Sequence, residues 1–257
     1  MGSAPLIALD SPAPEAVDGR QIRAAAFQGV RLEYTRGVLA RLGRAPSGRA
    51  LVVGSGRGLL AHGLAGLGFE VTAIDPSESA TALARAAAAR DSLTVEHRAA
   101  PAERLDVPDA AFDLVYLADT LEITADPDRV IEQAARALTP DGVLVYDTVN
   151  RTPVSRLVYL VAFQRLPMTR VVPAGRYAAR RLRPPAEVAA LLARHGLADG
   201  GICDFKPRSV RSLIAGVLAR RRGRITDDEI EAVVGFALAP KSKPLVTYLG
   251  HARKGRL

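Results

Sequence analysis

The feature that most constrains this 257-residue chain is a junction between a strand and a helix near residue 54. Ala50-Leu51-Val52-Val53 is a continuous apolar run, as in a parallel strand buried on both faces. Gly54-Ser55-Gly56-Arg57-Gly58 follows at once, and residues 59–67 read as a helix closed by Gly68, where a C-cap glycine belongs. The chain then keeps to this alternation. Residues 70–74 read as a strand, and 77–90 as an Ala-rich helix with Ser77 as N-cap and Glu78 in its first turn. Strands follow at 93–97 and 112–117. A helix at 126–138, a Pro140-Asp141-Gly142 turn and a strand at 143–148 complete the series. With later strands at 202–205 and 245–251, the expectation is a doubly wound α/β fold around a mainly parallel, seven-stranded sheet.

Outside that series the pattern loosens. Residues 1–19, rich in Pro, Ala and Ser, read as a loose leader. Residues 21–42 carry Phe27, Val30, Leu32, Val38, Leu39 and Leu42 at helical spacing. Residues 151–185 are basic and irregular, 185–195 resume a helix, and 208–240 read as an extra helical segment. The organisation is one domain over 1–257: leader and helix in 1–45, a nucleoside-binding half in 46–150, a basic helical cap from 151–185 and 207–240, and a last strand at 245–252. The single cysteine, Cys203, excludes an internal disulfide and reads as a small buried group. No apolar run nears the ~20 residues of a membrane span, and residues 1–15 lack a secretory pattern, so a cytoplasmic setting is expected.

Function is most legible at the glycine turn. Glycine lets the backbone turn sharply and approach a ligand, and the helix start behind it offers free N–H groups. Asp75, which ends the second strand, is placed to accept two hydrogen bonds from ribose hydroxyls. Glycine at 54, 56 and 58, with Leu59 where a dinucleotide fingerprint needs glycine, suits a nucleoside without a pyrophosphate.

These residues carry a resemblance to class I S-adenosylmethionine-dependent methyltransferases. The match runs through the glycine loop, Asp75, Ala102-Glu103-Arg104-Leu105, Phe112-Asp113-Leu114-Val115, Leu121-Glu122 with Asp126-Pro127, and Leu138-Thr139-Pro140-Asp141-Gly142. A narrower resemblance, to the ubiquinone-biosynthesis O-methyltransferases, rests on Arg31-Leu32-Glu33-Tyr34, Asp147 to Pro153, Leu166-Pro167, Pro173-Ala174-Gly175, Pro185-Ala186-Glu187-Val188 and Val246-Thr247-Tyr248-Leu249. Residues 207–240 have no counterpart in it.

The resemblance implies S-adenosylmethionine as methyl donor and S-adenosylhomocysteine as product. It implies Gly54, Ser55, Gly56 and Gly58 at the cofactor and Asp75, followed by Pro76, on the ribose. Ala102 and Glu103 would lie at the adenine, the backbone of Leu117 and Ala118 along the methionine arm, and Arg31 on the cofactor carboxylate; a solvated helix arginine is the alternative for Arg31. The family's acids beside this site are associated with a divalent cation. Asp119 and Glu122 remain here, but Ile123 replaces the histidine, so no metal requirement is expected and Glu122 reads instead as capping or solvating the following loop. Arg176-Tyr177-Ala178-Ala179 replaces Thr-His-Asp-Trp, leaving Tyr177 as the candidate catalytic side chain. His62 and His97 read as structural.

These departures, with the apolar 157–168 stretch, direct the expectation to a hydroxyl on a hydrophobic aromatic or polyketide-like small molecule in specialised biosynthesis. A quinone-type catechol, nitrogen or carbon methylation, RNA methylation and a cofactor-binding enzyme that does not methylate stay open as alternatives. The net charge of +8, from 35 basic and 27 acidic residues, favours acidic partners. With 5% aromatics and no separate RNA module, nucleic acid is the weaker choice. Eight arginines among residues 151–185 suit either a solvated face or peripheral contact with a membrane. The assembly is expected to be a monomer or homodimer.

Overall fold

The computed structural model describes residues 5–13 and 15–255. Helix α1 (Gly19–Arg41) leads into β1 (Arg49–Val53), α2 (Leu59–Leu67), β2 (Glu70–Asp75), α3 (Glu78–Arg90), β3 (Val95–Ala99), β4 (Phe112–Leu117), α4 (Pro127–Ala137) and β5 (Leu138–Val149). A short turn α5 (Pro153–Ser155) runs into a π-helical turn, Arg156–Ala162. Then come α6 (Pro185–Arg194), β6 (Leu197–Pro207), α7 (Val210–Arg221), α8 (Ile230–Val233), β7 (Phe236–Ala239) and β8 (Thr247–Lys254).

The sheet order is β3-β2-β1-β4-β5-β8-β6-β7. Strands β1 to β5 are parallel, while β8, β6 and β7 pair antiparallel in turn. Alternating side chains feed two cores, as the pleat requires. Ala50 and Val52 pack with Phe27, Val30, Leu60 and Leu64 of α1 and α2. Leu51 and Val53 pack on the opposite face with Val130, Ile131 and Leu191 of α4 and α6. The capping signals read from the sequence hold: Ser77 Oγ accepts from Ala80 N–H, and Gly68 closes α2 with φ +111°.

Three expectations need correction. The sheet has eight strands, because Phe236-Ala237-Leu238-Ala239 forms an edge strand on β6 inside the segment read as helical. Phe236 is held there by edge-on stacking against Phe27 and Phe205, a contact across the fold that local pattern does not reveal. The described residues before α1, 5–13 and 15–18, are also built into the fold rather than loose; residues 1–4 and 14 of the expected leader lie outside the described residues. Ile7 bridges Val17, Ala16 and Val17 are buried, and Asp18 caps α1 through Arg20 N–H and Gln21 N–H. Its carboxylate also accepts from Arg57 Nη2 at 2.9 Å. Finally, the Pro140-Asp141-Gly142 turn is absorbed into the start of β5.

Candidate active site

The carboxyl ends of β1, β2, β4 and β5 converge where parallel α/β sheets bind ligands. Gly54 leaves β1 with φ +79°, and a Cβ there would lie 2.3 Å from the Ala118 carbonyl oxygen. Only glycine permits that approach of the loop to the chain after β4. Asp75, fully buried, ends β2 and accepts from Gly56 N–H at 2.8 Å and Ser77 N–H at 2.9 Å. Its remaining partner is Arg20 of α1, which donates from Nη1 at 3.1 Å and pairs also through Nη2; the same Nη1 donates to Asp10. Gly54, Ser55, Gly56, Arg57, Arg20, Arg31, Ala118 and Asp119 thus line a narrow cleft of about 10 Å³.

The second feature is a cavity of about 340 Å³, apolar over nearly all its wall. Phe27 of α1, Tyr159 and Val172 of the segment after β5, and Val217, Ile230 and Phe236 from the chain after β6 enclose it. Both stretches expected to form a cap therefore meet on this cavity. Tyr177 lines it as well, anchored by reciprocal backbone bonds with the Gln164 amide at 2.9 and 3.2 Å.

Between cleft and cavity lies a buried charge cluster. Asp119 follows β4 in the left-handed region (φ +50°), Glu122 is fully buried two residues before Thr124, and Asp147 sits near the end of β5. Arg31 pairs with Asp119 at 2.7 Å and donates to Asp147 at 2.8 Å. Arg23 pairs with Asp119 and Glu122, both at 2.7 Å, and lies 3.5 Å from Asp147. Burial opposes ionisation of Asp119, but Arg23 and Arg31 outweigh it and hold that carboxyl well below its usual range. Burial pushes the Asp147 carboxyl up to about 7; Arg31 opposes the rise and Asp119 adds to it.

Of the residues singled out in the sequence, Gly54, Ser55, Gly56, Ala118 and Arg31 line the narrow cleft, and Asp75 reaches it through Arg20. Gly58 stands behind the loop at the start of α2, and Leu117 is buried in the opposite core. Pro76 is exposed, Ala102 is buried, and Glu103 accepts from the Thr124 hydroxyl; none of these three lines the cleft. Arg31 is not a solvated arginine. Glu122 neither caps nor solvates its loop: Thr148 Oγ1 donates to it at 2.9 Å and Arg23 covers its other oxygen. The basic stretch is only partly a free face, since Arg183 is buried and joins Arg151 on Glu187. Sequence reasoning missed Arg20, Arg23 and Asp147 as site residues. Three arginines at i, i+3 and i+11 on a helix otherwise apolar at 22, 25–27 and 30 were the available signal.

Comparison with known proteins decides what this arrangement belongs to. A family model described as "Methyltransferase domain" matches residues 51–146. A ubiquinone biosynthesis O-methyltransferase of Xanthomonas axonopodis pv. citri is 37% identical over 182 residues, 70% of this chain and 73% of that protein. The chain belongs to this family of S-adenosylmethionine-dependent methyltransferases. A protein of the same name from Bordetella avium is 32% identical over 69% of this chain and 72% of its own. A solved methyltransferase of Aquifex aeolicus shares the fold, with a TM-score of 0.56 and 16% identity over 90% of this chain and 92% of its own. The methyltransferase thus uses S-adenosylmethionine, and its acceptor is a small molecule. Among the described residues no helix is long and apolar enough to cross a membrane.

The donor set does not suit the divalent cation that the family resemblance implies. Asp119 and Glu122 are engaged by guanidinium groups, Ile123 offers no ligand, and no cluster of three His, Cys, Asp or Glu is arranged for a metal among the described residues. Asp75 and the glycine loop do suit a nucleoside. The carboxylate already accepts hydrogen bonds from two backbone N–H groups, and its remaining partner is the Arg20 side chain.

Proposed function

We propose that this methyltransferase methylates a hydroxyl on an aromatic ring bearing an apolar tail, an acceptor of the quinone-precursor type. The observation that carries the reading is the apolar cavity of about 340 Å³, divided from the glycine-loop cleft by the Asp119–Arg23 pair. Two spaces of different chemistry that meet at one pair of side chains can hold donor and acceptor side by side, which is what methyl transfer requires. The relatives' names add the oxygen acceptor and favour the quinone-type ring over a polyketide-like one. A polyketide-like hydroxyl remains the second reading, supported by Ile123 and by the cavity wall that residues 207–240 contribute.

On this reading Asp75 accepts the ribose hydroxyls after Arg20 withdraws, and Gly54 to Gly58 offer backbone N–H groups. Arg31 faces the cofactor carboxylate, the backbone of Leu117 and Ala118 flanks the methionine arm, and Ala102 with Glu103 serves the adenine. Tyr177 acts from the cavity side through its hydroxyl, which accepts from Arg23. The bound cofactor supplies an activated methyl group; the chain aligns the acceptor and excludes water. Exposed Val154, Val210 and Leu245 rim the cavity, with Leu157 and Met168 exposed on the same cap, which suits delivery of a tailed acceptor from a membrane surface.

The test is transfer of an isotope-labelled methyl group to a panel containing an octyl-substituted catechol, an aromatic polyketide, an apolar amine and RNA. Label in an ether of the catechol is expected. Label confined to nitrogen, carbon or RNA would overturn the reading, and label confined to the polyketide would promote the second one.

A further inference from the structure

The Arg23 side chain is the most unusual group in the molecule, and the family resemblance does not account for it. It is buried on α1 and forms part of the apolar cavity wall. One side of its guanidinium spans Asp119 and Glu122 at 2.7 Å each. The Nη1 that pairs with Glu122 also donates to the Tyr177 hydroxyl at 3.3 Å, and Cζ lies 5.3 Å from the ring centres of both Phe27 and Tyr159. Nη2 makes no hydrogen bond among the described residues, although Asp147 is 3.5 Å away. A planar cation held by carboxylates behind and aromatic faces beside it has its orientation fixed. It also places a donor in an otherwise greasy wall, and a hydroxyl entering there finds few other partners.

We propose that Arg23 is the acceptor-orienting residue of this enzyme, a built-in cation that occupies the ground between Asp119 and Glu122 and binds the reacting oxygen of the acceptor. The proposal rests on the acceptor reading above. Asp119 and Glu122 balance the Arg23 and Arg31 guanidinium groups, and burial holds the Asp147 carboxyl above its usual range, so the cluster sets no net positive charge beside a sulfonium on the cleft side. In the transfer, a lone pair of the acceptor oxygen forms the new O–C bond while the C–S bond breaks and its electron pair stays on sulfur. The hydroxyl proton leaves to solvent and carries one positive charge away as the sulfonium becomes a neutral thioether. Arg23 thereby replaces metal coordination as the device that fixes the acceptor's oxygen, and Tyr177 positions Arg23.

The experiment is calorimetric binding of an octyl-substituted catechol and its dimethoxy counterpart to the S-adenosylhomocysteine-saturated enzyme in chelator-treated buffer. Wild type, Arg23→Lys and Tyr177→Phe are compared, and S-adenosylhomocysteine binding is recorded first for each. Wild type is expected to favour the catechol by at least about tenfold, the worth of one well-placed hydrogen bond to a charged group. Arg23→Lys is expected to bring that preference below about twofold without changing S-adenosylhomocysteine affinity, since a point charge does not reproduce the planar fork. Tyr177→Phe exposes no buried charge and should lower the preference in part, so it carries the test if the lysine variant does not fold. Wild-type preference retained in Arg23→Lys, or in Tyr177→Phe where that variant carries the test, would overturn the proposal. A preference seen only after magnesium is added would do the same. Failure of S-adenosylhomocysteine to bind wild type would instead count against the methyltransferase reading beneath it.

Discussion

The two compartments on either side of the Asp119–Arg23 pair are built from opposite materials. The cleft is organised by local backbone, a glycine loop and a helix start held by the Asp75 carboxylate within residues 54–77, against which α1 and the chain after β4 set Arg20, Arg31 and Asp119. The cavity is made of side chains from four separated stretches, namely α1, the segment after β5, the chain from β6 through β7, and the approach to β8. A cleft held by local backbone geometry tolerates little change in sequence, whereas a cavity built from packed side chains can be reshaped one residue at a time. One cofactor chemistry is thereby joined to an adjustable acceptor pocket.

The largest expected effect lies on the cleft side. Asp75→Ala removes two hydrogen bonds to the ribose and should weaken S-adenosylhomocysteine binding by about 2–4 kcal/mol, read by calorimetry. Unchanged affinity would break the comparison, because the cleft would then not be the nucleoside site. On the cavity side, Val158, which follows β5 and lines the cavity, can be replaced by a much larger side chain as Val158→Trp. Acceptor binding should fall roughly 30-fold, as expected when a buried ring loses its space, with S-adenosylhomocysteine affinity kept within about twofold. A parallel loss of both ligands would show that the compartments are not separate.

Arg20→Ala sharpens the comparison from the other direction. Arg20 lies on Asp75 and Asp10, where it competes with the ribose for the same oxygens. Its removal should tighten cofactor binding by about threefold to tenfold, the range of one exchanged charged hydrogen bond. Weaker binding would mean that Arg20 stays to hold the cofactor.

The smallest effect concerns the support beneath the loop. His97 Nε2 lies 3.2 Å from His62 Nε2, close behind Gly58. Burial, then His62 and Arg85, pushes the His97 ring down from 6.5 to about 4. A histidine with a depressed pKa leaves stability intact above the unfolded value. As pH falls from there toward 4, the unfolded chain takes a proton that the fold refuses, and stability is lost. Wild type should therefore lose a few degrees of melting temperature between about pH 7 and pH 5 relative to His97→Gln. An identical pH dependence in the two proteins would remove His97 from the account.

The sequence disclosed the two compartments unequally, for the same physical reason. The β1–α2 junction, Asp75 and the caps at Ser77 and Gly68 are local, and each follows from a few adjacent residues. The eighth strand is not local: Phe236 is fixed by rings about 30 and about 200 positions away. Arg23 was hidden likewise. Arginine on a helix ordinarily extends into solvent, and its burial here depends on carboxylates from two strand ends. The departures at Ile123 and Tyr177 pointed to an altered acceptor site. What occupies the cation's place became visible only with α1 laid against β4 and β5.

The most direct test of the account is a crystal structure of the enzyme with S-adenosylhomocysteine and the octyl-substituted catechol. The account predicts the ribose on Asp75 with Arg20 withdrawn, the ring in the apolar cavity, and the acceptor oxygen within hydrogen-bond distance of Arg23 and facing the sulfur. A ring bound outside the cavity, or an acceptor oxygen turned away from Arg23, would contradict it.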